Sequence, residues 1–522
     1  MMFMHKVTVP TPTETKMYLW IPVSLSGEVK RLRIIAGDGT IWQEIWMRFE
    51  NVDWYVPLDV SAFAGDSLSF EAEAPSQWFA ALRFSSRLPE REHCQRPQLH
   101  FTADRGWNND PNGLVFCNGV WHMFFQYNPY GTDWNNMQWG HAVSRDLIVW
   151  RQMDIALFPD ETGTMYSGSA VTDREGALGF GKNALAFFYT AAGGKNDWSV
   201  GKPFTQRIAV LRPDPEAPEL NGTMEKTGIV ALEHIVDENR DPKVFWHEPS
   251  AAYIMVLYLN EWNFAIFRSS DLGNWTLSQK LTLEKCWECP DLFCLPVEGS
   301  DQYRWVFWSA DGYYFVGTFD GHQFVPETER LCAYAETGSR IPYAAQTFSG
   351  LEGRTISVSW LRLPNRQKPY TGAMSIPCEL SLARTEKGLR LRMPYVRELE
   401  QYRRELTRYT NFKQPIFLPD NGNAWMLSID AEGEFDAEIP FGTVVFKDNV
   451  LTFSGSSFEL SKEKRQRLAF LADGEVLELH AANDTICATW EVQPQNGGKV
   501  QIHPRLSGTV EAVLSVFDVP ER

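Results

Sequence analysis

Residues 109–127 read NDPNGLVFCNGVWHMFFQY: a polar, proline-marked opening, an apolar run, a turn, and a second run rich in aromatics. Short runs of this kind, bounded by turn residues, predict paired strands. The pattern returns four more times. Its further openings lie near Ser167 (SGSAVTD, then ALAFFYTA), Asp241 (DPKVFW, then YIMVLYL), Glu288 (ECPDLFCL, then YRWVFW) and Tyr343 (YAAQTF, then TISVSW). The units are roughly 58 residues apart on average. A second echo, Ser-x-Asp-Leu-x-x-Trp, occurs at Ser144–Trp150 and again at Ser269–Trp275. Repeats of this length built from short strands predict propeller blades, and five units predict a five-bladed β-propeller over residues 96–395. Innermost strands of a propeller converge on one axis, so equivalent positions of different blades meet at one mouth.

Outward from this repeat, residues 1–95 carry β-type runs at Met17–Val23, Leu32–Ile35, Trp54–Leu58 and Ser67–Ala72. Turn signals such as Gly37-Asp38-Gly39 and Gly65-Asp66 separate them, which predicts a small β-rich N-terminal extension. Val396, Leu399, Arg403, Leu406 and Tyr409 fall near one face of a helix, so 396–411 is expected to be a linker helix. Alternating runs over 412–522 predict a C-terminal β-sandwich. The expected fold class is all-β.

The chain has 522 residues, 44% apolar, with 49 Lys and Arg against 66 Asp and Glu, for a formal charge of −17. That field repels phosphate backbones and anionic lipid, so neither nucleic acid nor membrane is an expected partner. Twenty Trp, 17 Tyr and 33 Phe serve a large β core, and the same side chains stack on the C–H faces of sugars. The N-terminal stretch lacks the unbroken apolar run of a signal peptide, and eight scattered cysteines suit a reducing compartment, so a cytoplasmic location is expected. Cys286-Trp-Glu-Cys289 has no second ligand pair nearby and sits among strands, so no metal or redox role is expected of it. His141 and His247 suit strand packing, and no metal or other cofactor is expected.

Three of the five blade openings carry an acid, Asp110, Asp241 and Glu288, each followed by Pro at the next position or the one after. One Asp-Pro alone is an ordinary turn starter. Three at equivalent blade positions would crowd together, and at least one pKa must then rise. Glycoside hydrolysis with retention uses such a cluster: one carboxylate attacks the anomeric carbon, and a protonated second gives its proton to the leaving oxygen. A third can hold sugar hydroxyls. Arg240 is the permanent cation within these boxes and the natural counter-charge.

Trp107-Asn-Asn-Asp-Pro-Asn-Gly113 closely resembles the W-x-N-D-P-N-G box of glycoside hydrolase family 32, the invertases, inulinases and levanases. Arg240-Asp-Pro242 and Trp287-Glu-Cys-Pro-Asp291 resemble two further boxes of that family. The resemblance implies that Asp110 is the nucleophile forming a covalent fructosyl-enzyme, Glu288 the general acid/base, and Asp241 the transition-state stabiliser with Arg240 beside it. It also implies a fructose pocket of Asn109, Gln126, Trp134 and Ser167, with Tyr166 where the family usually has Phe. Trp360 is placed at the rim or in the core. Cys289 either tunes the acid's surroundings or packs as a thiol. Two departures, Asn239 before Arg240 and Ile341-Pro342 before Tyr343, are expected near the rim.

The expected activity is removal of terminal β-D-fructofuranosyl residues from sucrose, fructo-oligosaccharides or fructans. The alternatives are a fructosyltransferase using the same intermediate and a non-catalytic fructan-binding protein. The partner is a fructose-containing small molecule or oligosaccharide, and a homo-oligomer stays open.

Overall fold

The computed structural model describes every residue except 1–3, 15, 214–215, 339–340, 411–415, 419–423, 494–497, 505–508 and 521–522. It is a five-bladed β-propeller flanked by an N-terminal β module and a C-terminal β-sandwich. The blades' innermost strands are Gly106–Cys117, Thr164–Asp173, Arg240–His247, Asp291–Pro296 and Pro342–Thr347. Each begins within a few residues of the opening read from the sequence.

The second strands of the first two blades, Val120–Asn128 and Ala184–Ala192, are buried at every position. Neighbouring layers cover both of their faces, so they read as unbroken apolar runs rather than as an alternation. The two Ser-x-Asp-Leu-x-x-Trp segments fold alike. Leu147 and Leu272 both take positive φ, and the indole N–H groups of Trp150 and Trp275 donate to their carbonyls at 2.8 and 2.7 Å. The ring is fastened between its last and first blades. The Ser349 carbonyl accepts from Phe116 N–H, and its own N–H donates to the Leu114 carbonyl, both at 3.0 Å.

Residues 5–85 form two small sheets. One orders His5–Pro10, Ser67–Ala72, Lys30–Ala36 and Ile41–Met47; the other orders Trp54–Asp59, Tyr18–Val23 and Arg83–Ser85. Their apolar faces join the first blade in one core, where Leu19, Ile21 and Phe70 share a cluster with Phe125, Ile148 and Trp150.

The helix expected over 396–411 is not there. Arg397–Tyr402 makes a short 3-10 turn, and Arg403–Thr410 is a strand paired antiparallel with Thr509–Phe517. An open sheet edge offers this segment a full ladder of backbone bonds, and Arg404 pairs across it with Asp518 at 2.5 Å. That tertiary pairing outweighs a weak helical periodicity. The expected boundary at 411/412 lies outside the described residues.

The sandwich stacks two six-stranded sheets around Leu427, Phe435, Leu451 and Phe470. A buried ionic knot ties it to the propeller. His100 Nδ1 lies 2.8 Å from Asp473, whose carboxylate also accepts the N–H groups of Gln98, Leu99 and His100 at 2.7–2.9 Å. No helix among the described residues is long and apolar enough to cross a membrane.

Candidate active site

Proline has no N–H for a ladder, so within sheets it settles at bulges and edges. Here that rule shapes the site. Pairing slips between Asn108 and Pro111 on the first inner strand and between Arg240 and Lys243 on the third. It slips again at Ser167 and between Tyr343 and Gln346. Each bulge re-aims its side chains at the mouth of the ring. The fourth blade reaches the same end by backbone strain, because Glu288 (φ +47°) and Cys289 (φ +37°) both occupy the left-handed region just before Pro290. Asp241 is strained likewise, at φ +62°. Non-glycine residues adopt this conformation at a cost of about 1–3 kcal/mol each, and it is concentrated at working sites.

These elements surround a cavity of about 270 Å³ lined by Asn109, Asp110, Gln126, Trp134, Tyr166 and Ser167, and by Arg240, Asp241, Glu288 and Trp360. All ten residues singled out from the sequence therefore reach one cavity. Asp110 Oδ2 accepts a 2.7 Å hydrogen bond from the Ser167 hydroxyl, and Asn109 Oδ1 is held by the Trp107 indole N–H at 2.8 Å. Asp241 accepts from the Cys289 backbone N–H at 3.0 Å. The Cys289 thiol lies between two carboxylates, 3.5 Å from Asp241 and 3.7 Å from Asp110. The acceptor atoms of Asp241 and Glu288 and the Cys289 sulfur all fall within 4.8 Å of one another. Arg240 supplies the counter-charge, 3.5 Å from Glu288 and 3.8 Å from Asp241, with its guanidinium over the Tyr258 ring.

Burial is the main force on Asp241 and Glu288. It raises the Asp241 carboxyl to about 7; Glu288 and Asp110 push the same way, while Arg240 and the Cys289 N–H oppose. Glu288 is raised by burial and by Asp110, against Arg240 and a hydrogen bond from Tyr343. The site therefore favours holding a proton on Asp241 and Glu288, as an acid catalyst requires. Two buried donors lining the cavity, Gln126 Nε2 and Trp360 Nε1, lack a protein partner. Donors left so within a cavity are suited to ligand hydroxyls. Trp134 is half exposed and meets Tyr166 edge-on at 6.1 Å, so it walls the outer side.

Other features were not foreseen. Glu238, Met137 and Tyr343 also line the cavity. Glu238 stands in the turn two positions before Arg240, and its closeness to that box was the available signal. Beneath the site Lys243 pairs with Asp291 at 3.0 Å and donates to the Thr347 carbonyl at 2.7 Å, binding three blades in the interior. Asp291 closes one of the quoted boxes, and Lys243 stands one residue past another. The two departures are not at the rim. Asn239 is fully buried and bonded to Gln206 at 2.9 Å, while Ile341 and Pro342 are buried, Ile341 among Leu361, Leu363 and Val476. Gln206 and the turn N–H groups of Ile235 and Val236 give an amide at 239 partners that a Phe would lack. His141 stacks on Phe124 and contacts His122 at 3.2 Å, and His247 contacts Ser250 at 2.7 Å. A larger cleft, about 430 Å³, lies on the sandwich, where Arg467, Arg408 and Arg392 are paired with Asp430, Glu511 and Asp484.

Fold and site together define a five-bladed propeller with an acidic cluster at its mouth. Residues 100–393 match the family described as glycosyl hydrolases family 32 N-terminal domain, and the chain belongs to glycoside hydrolase family 32. It is 34% identical over 353 residues to a levanase of Bacillus subtilis (strain 168), covering 60% of this chain and 49% of that one. It is 31% identical over 339 residues to an extracellular exo-inulinase of Aspergillus niger, covering 55% of this chain and 62% of that one. The chain thus spans about half to three fifths of these relatives. Among solved structures, exo-inulinase from Aspergillus awamori superposes with a TM-score of 0.69 at 22% identity, covering 82% of this chain and 99% of that one. Fructofuranosidase from Schwanniomyces occidentalis complexed with fructose gives 0.66 at 24%, covering 80% and 98%.

Proposed function

We propose that this chain is a retaining β-fructosidase that removes terminal β-D-fructofuranosyl residues from sucrose, fructo-oligosaccharides or fructans. Asp110 attacks the anomeric carbon while Glu288 protonates the departing glycosidic oxygen, leaving fructose esterified to Asp110. Glu288, now ionised, takes a proton from water as that water attacks the same carbon, and Asp110 leaves as carboxylate. Asp241 and Arg240 hold ring hydroxyls, and Asn109, Gln126, Tyr166, Trp134 and Trp360 shape the pocket. Ser167 steadies Asp110. Family membership and the levanase and inulinase relatives support this assignment.

The observation that carries it is the meeting of Asp110, Asp241 and Glu288 around one small cavity, with Arg240 as counter-charge. A pure binding protein has no use for a proton donor held in strained backbone. Incubation with sucrose, kestose, inulin and levan tests the reading by sugar release. Free fructose from the native protein, and almost none from Asp110→Asn, is expected. Release by both proteins alike would refute the role of Asp110, and longer oligosaccharides in place of free fructose would indicate transfer to sugar rather than to water.

We also infer a reducing, cytoplasmic setting. No disulfide joins any of the eight cysteines, which supports it. The matched exo-inulinases are named extracellular, so fractionation of the producing cell is the direct test. Activity confined to the medium would overturn this placement.

A further inference from the structure

The N-terminal module lies outside the matched family region, yet it grips the loop that walls the site. The indole N–H of Trp54 donates to the Pro129 carbonyl at 2.9 Å. Arg48 pairs with Asp133 at 3.1 Å. The Asn136 side chain binds both backbone groups of Trp46, accepting its N–H and donating to its carbonyl, each at 2.8 Å. These two bonds continue the edge of Ile41–Met47 onto a propeller loop. Asn136 is 7% exposed and takes φ +47°, a conformation that asparagine tolerates better than most residues. From the propeller side Asn128 completes the clasp, donating to the Asp133 carbonyl at 2.9 Å and accepting from Asn136 at 3.0 Å. Trp134 stands between the two gripped residues, half exposed and facing the cavity.

The module reaches a second lip as well. Arg31 pairs with Asp197 at 2.5 Å in the loop that carries Lys195, and Lys195 holds the cavity residue Glu238 at 2.6 Å. Neither loop relies on its own packing alone. A ligand entering such a site meets walls already in place, which removes the entropy cost of ordering them.

We propose that the N-terminal β module is a positioning element of the substrate site, with Arg48 and the Trp46 backbone setting Trp134 against the bound sugar through Asp133 and Asn136. The inference rests on the fructosidase reading, because its readout is fructoside turnover. An aromatic face placed in advance favours the C–H surface of a furanose ring, so the module acts on affinity rather than on bond cleavage.

The test is a double-mutant cycle on sucrose and a fructo-oligosaccharide, using Arg48→Ala, Trp134→Ala and the pair. Arg48→Ala should raise KM by about three- to tenfold with kcat nearly unchanged. Once residue 134 is Ala, the same change should add nothing. Asp133→Asn breaks the ion pair from its other end and should reproduce the rise, and thermal unfolding of each variant confirms a folded protein. An unchanged KM in both Arg48→Ala and Asp133→Asn, or effects that simply add to those of Trp134→Ala, would overturn the inference alone. No turnover by the native protein on any fructoside would sink the fructosidase reading, and this inference with it.

Discussion

The Ser167 hydroxyl on the second blade donates a 2.7 Å hydrogen bond to the Asp110 carboxylate on the first. This bond joins two inner strands at their bulges and, in the proposed mechanism, aims the attacking oxygen. A hydrogen bond to a charged acceptor is worth about 1.5–3 kcal/mol, so Ser167→Ala should lower kcat/KM by about 10- to 150-fold. Steady-state kinetics on sucrose checks this, and a fall below about twofold would show that Asp110 is aimed by other contacts.

In the proposed mechanism Glu288 must be protonated to release the leaving group, and its pKa is raised by burial and by Asp110. The rate should therefore fall on the alkaline side as pH climbs through that raised value. Arg240 opposes the rise, so Arg240→Gln should move the alkaline limb of kcat/KM to higher pH while lowering its maximum. An alkaline limb that shifts to lower pH in this variant would contradict the charge balance described above.

Asp241 bears on stability as well as chemistry. Its carboxyl is raised from the ordinary 3.8 to about 7, so the folded protein binds a proton more tightly than the unfolded chain. Burial of this group costs little below pH 4, and the cost grows as pH rises towards 7. Asp241→Asn should abolish turnover yet raise stability above pH 7, by on the order of 2–4 kcal/mol, with little gain at pH 4. Denaturant midpoints at both pH values check this. A variant less stable than the native protein at pH 8 would contradict it.

The knot between propeller and sandwich behaves in the opposite chemical sense. His100 is held up at about 9 by Glu478 and Asp473 despite full burial. Tyr395 donates to Glu478 at 2.9 Å, and His480 and Arg392 lie against Asp484 nearby. The stabilisation from charged His100 is complete below about 6.5 and is lost as pH rises through about 9. His100→Asn should flatten this decline, as measured by thermal unfolding from pH 6 to 10. An unaltered slope would place the pH dependence elsewhere.

The blade openings and the three acids were legible because a propeller repeats its strand pattern and because Pro just after an acid marks a bulge at Asp110 and Asp241 and a strained turn at Glu288. The linker was misread because Val396 to Tyr409 satisfies a helical period by chance, while the sheet edge that captures Arg403–Thr410 comes from residues about a hundred positions later. Asn239 and Ile341 lie deep because their partners, Gln206 and Val476, come from other strands. Local pattern cannot name such partners. The clasp between Asn136 and Trp46 was invisible for the same reason, since an asparagine bonded to a distant backbone reads as an ordinary loop residue.

The most direct measurement is mass spectrometry of the Glu288→Ala protein after brief exposure to fructosyl fluoride. This substrate needs no acid to depart, and without Glu288 the fructosyl-enzyme loses its base for hydrolysis, so the intermediate should accumulate. The account predicts one added fructosyl unit, located by proteolysis on the peptide that contains Asp110. Fluoride release with no adduct at any time, or an adduct on another carboxylate, would contradict it.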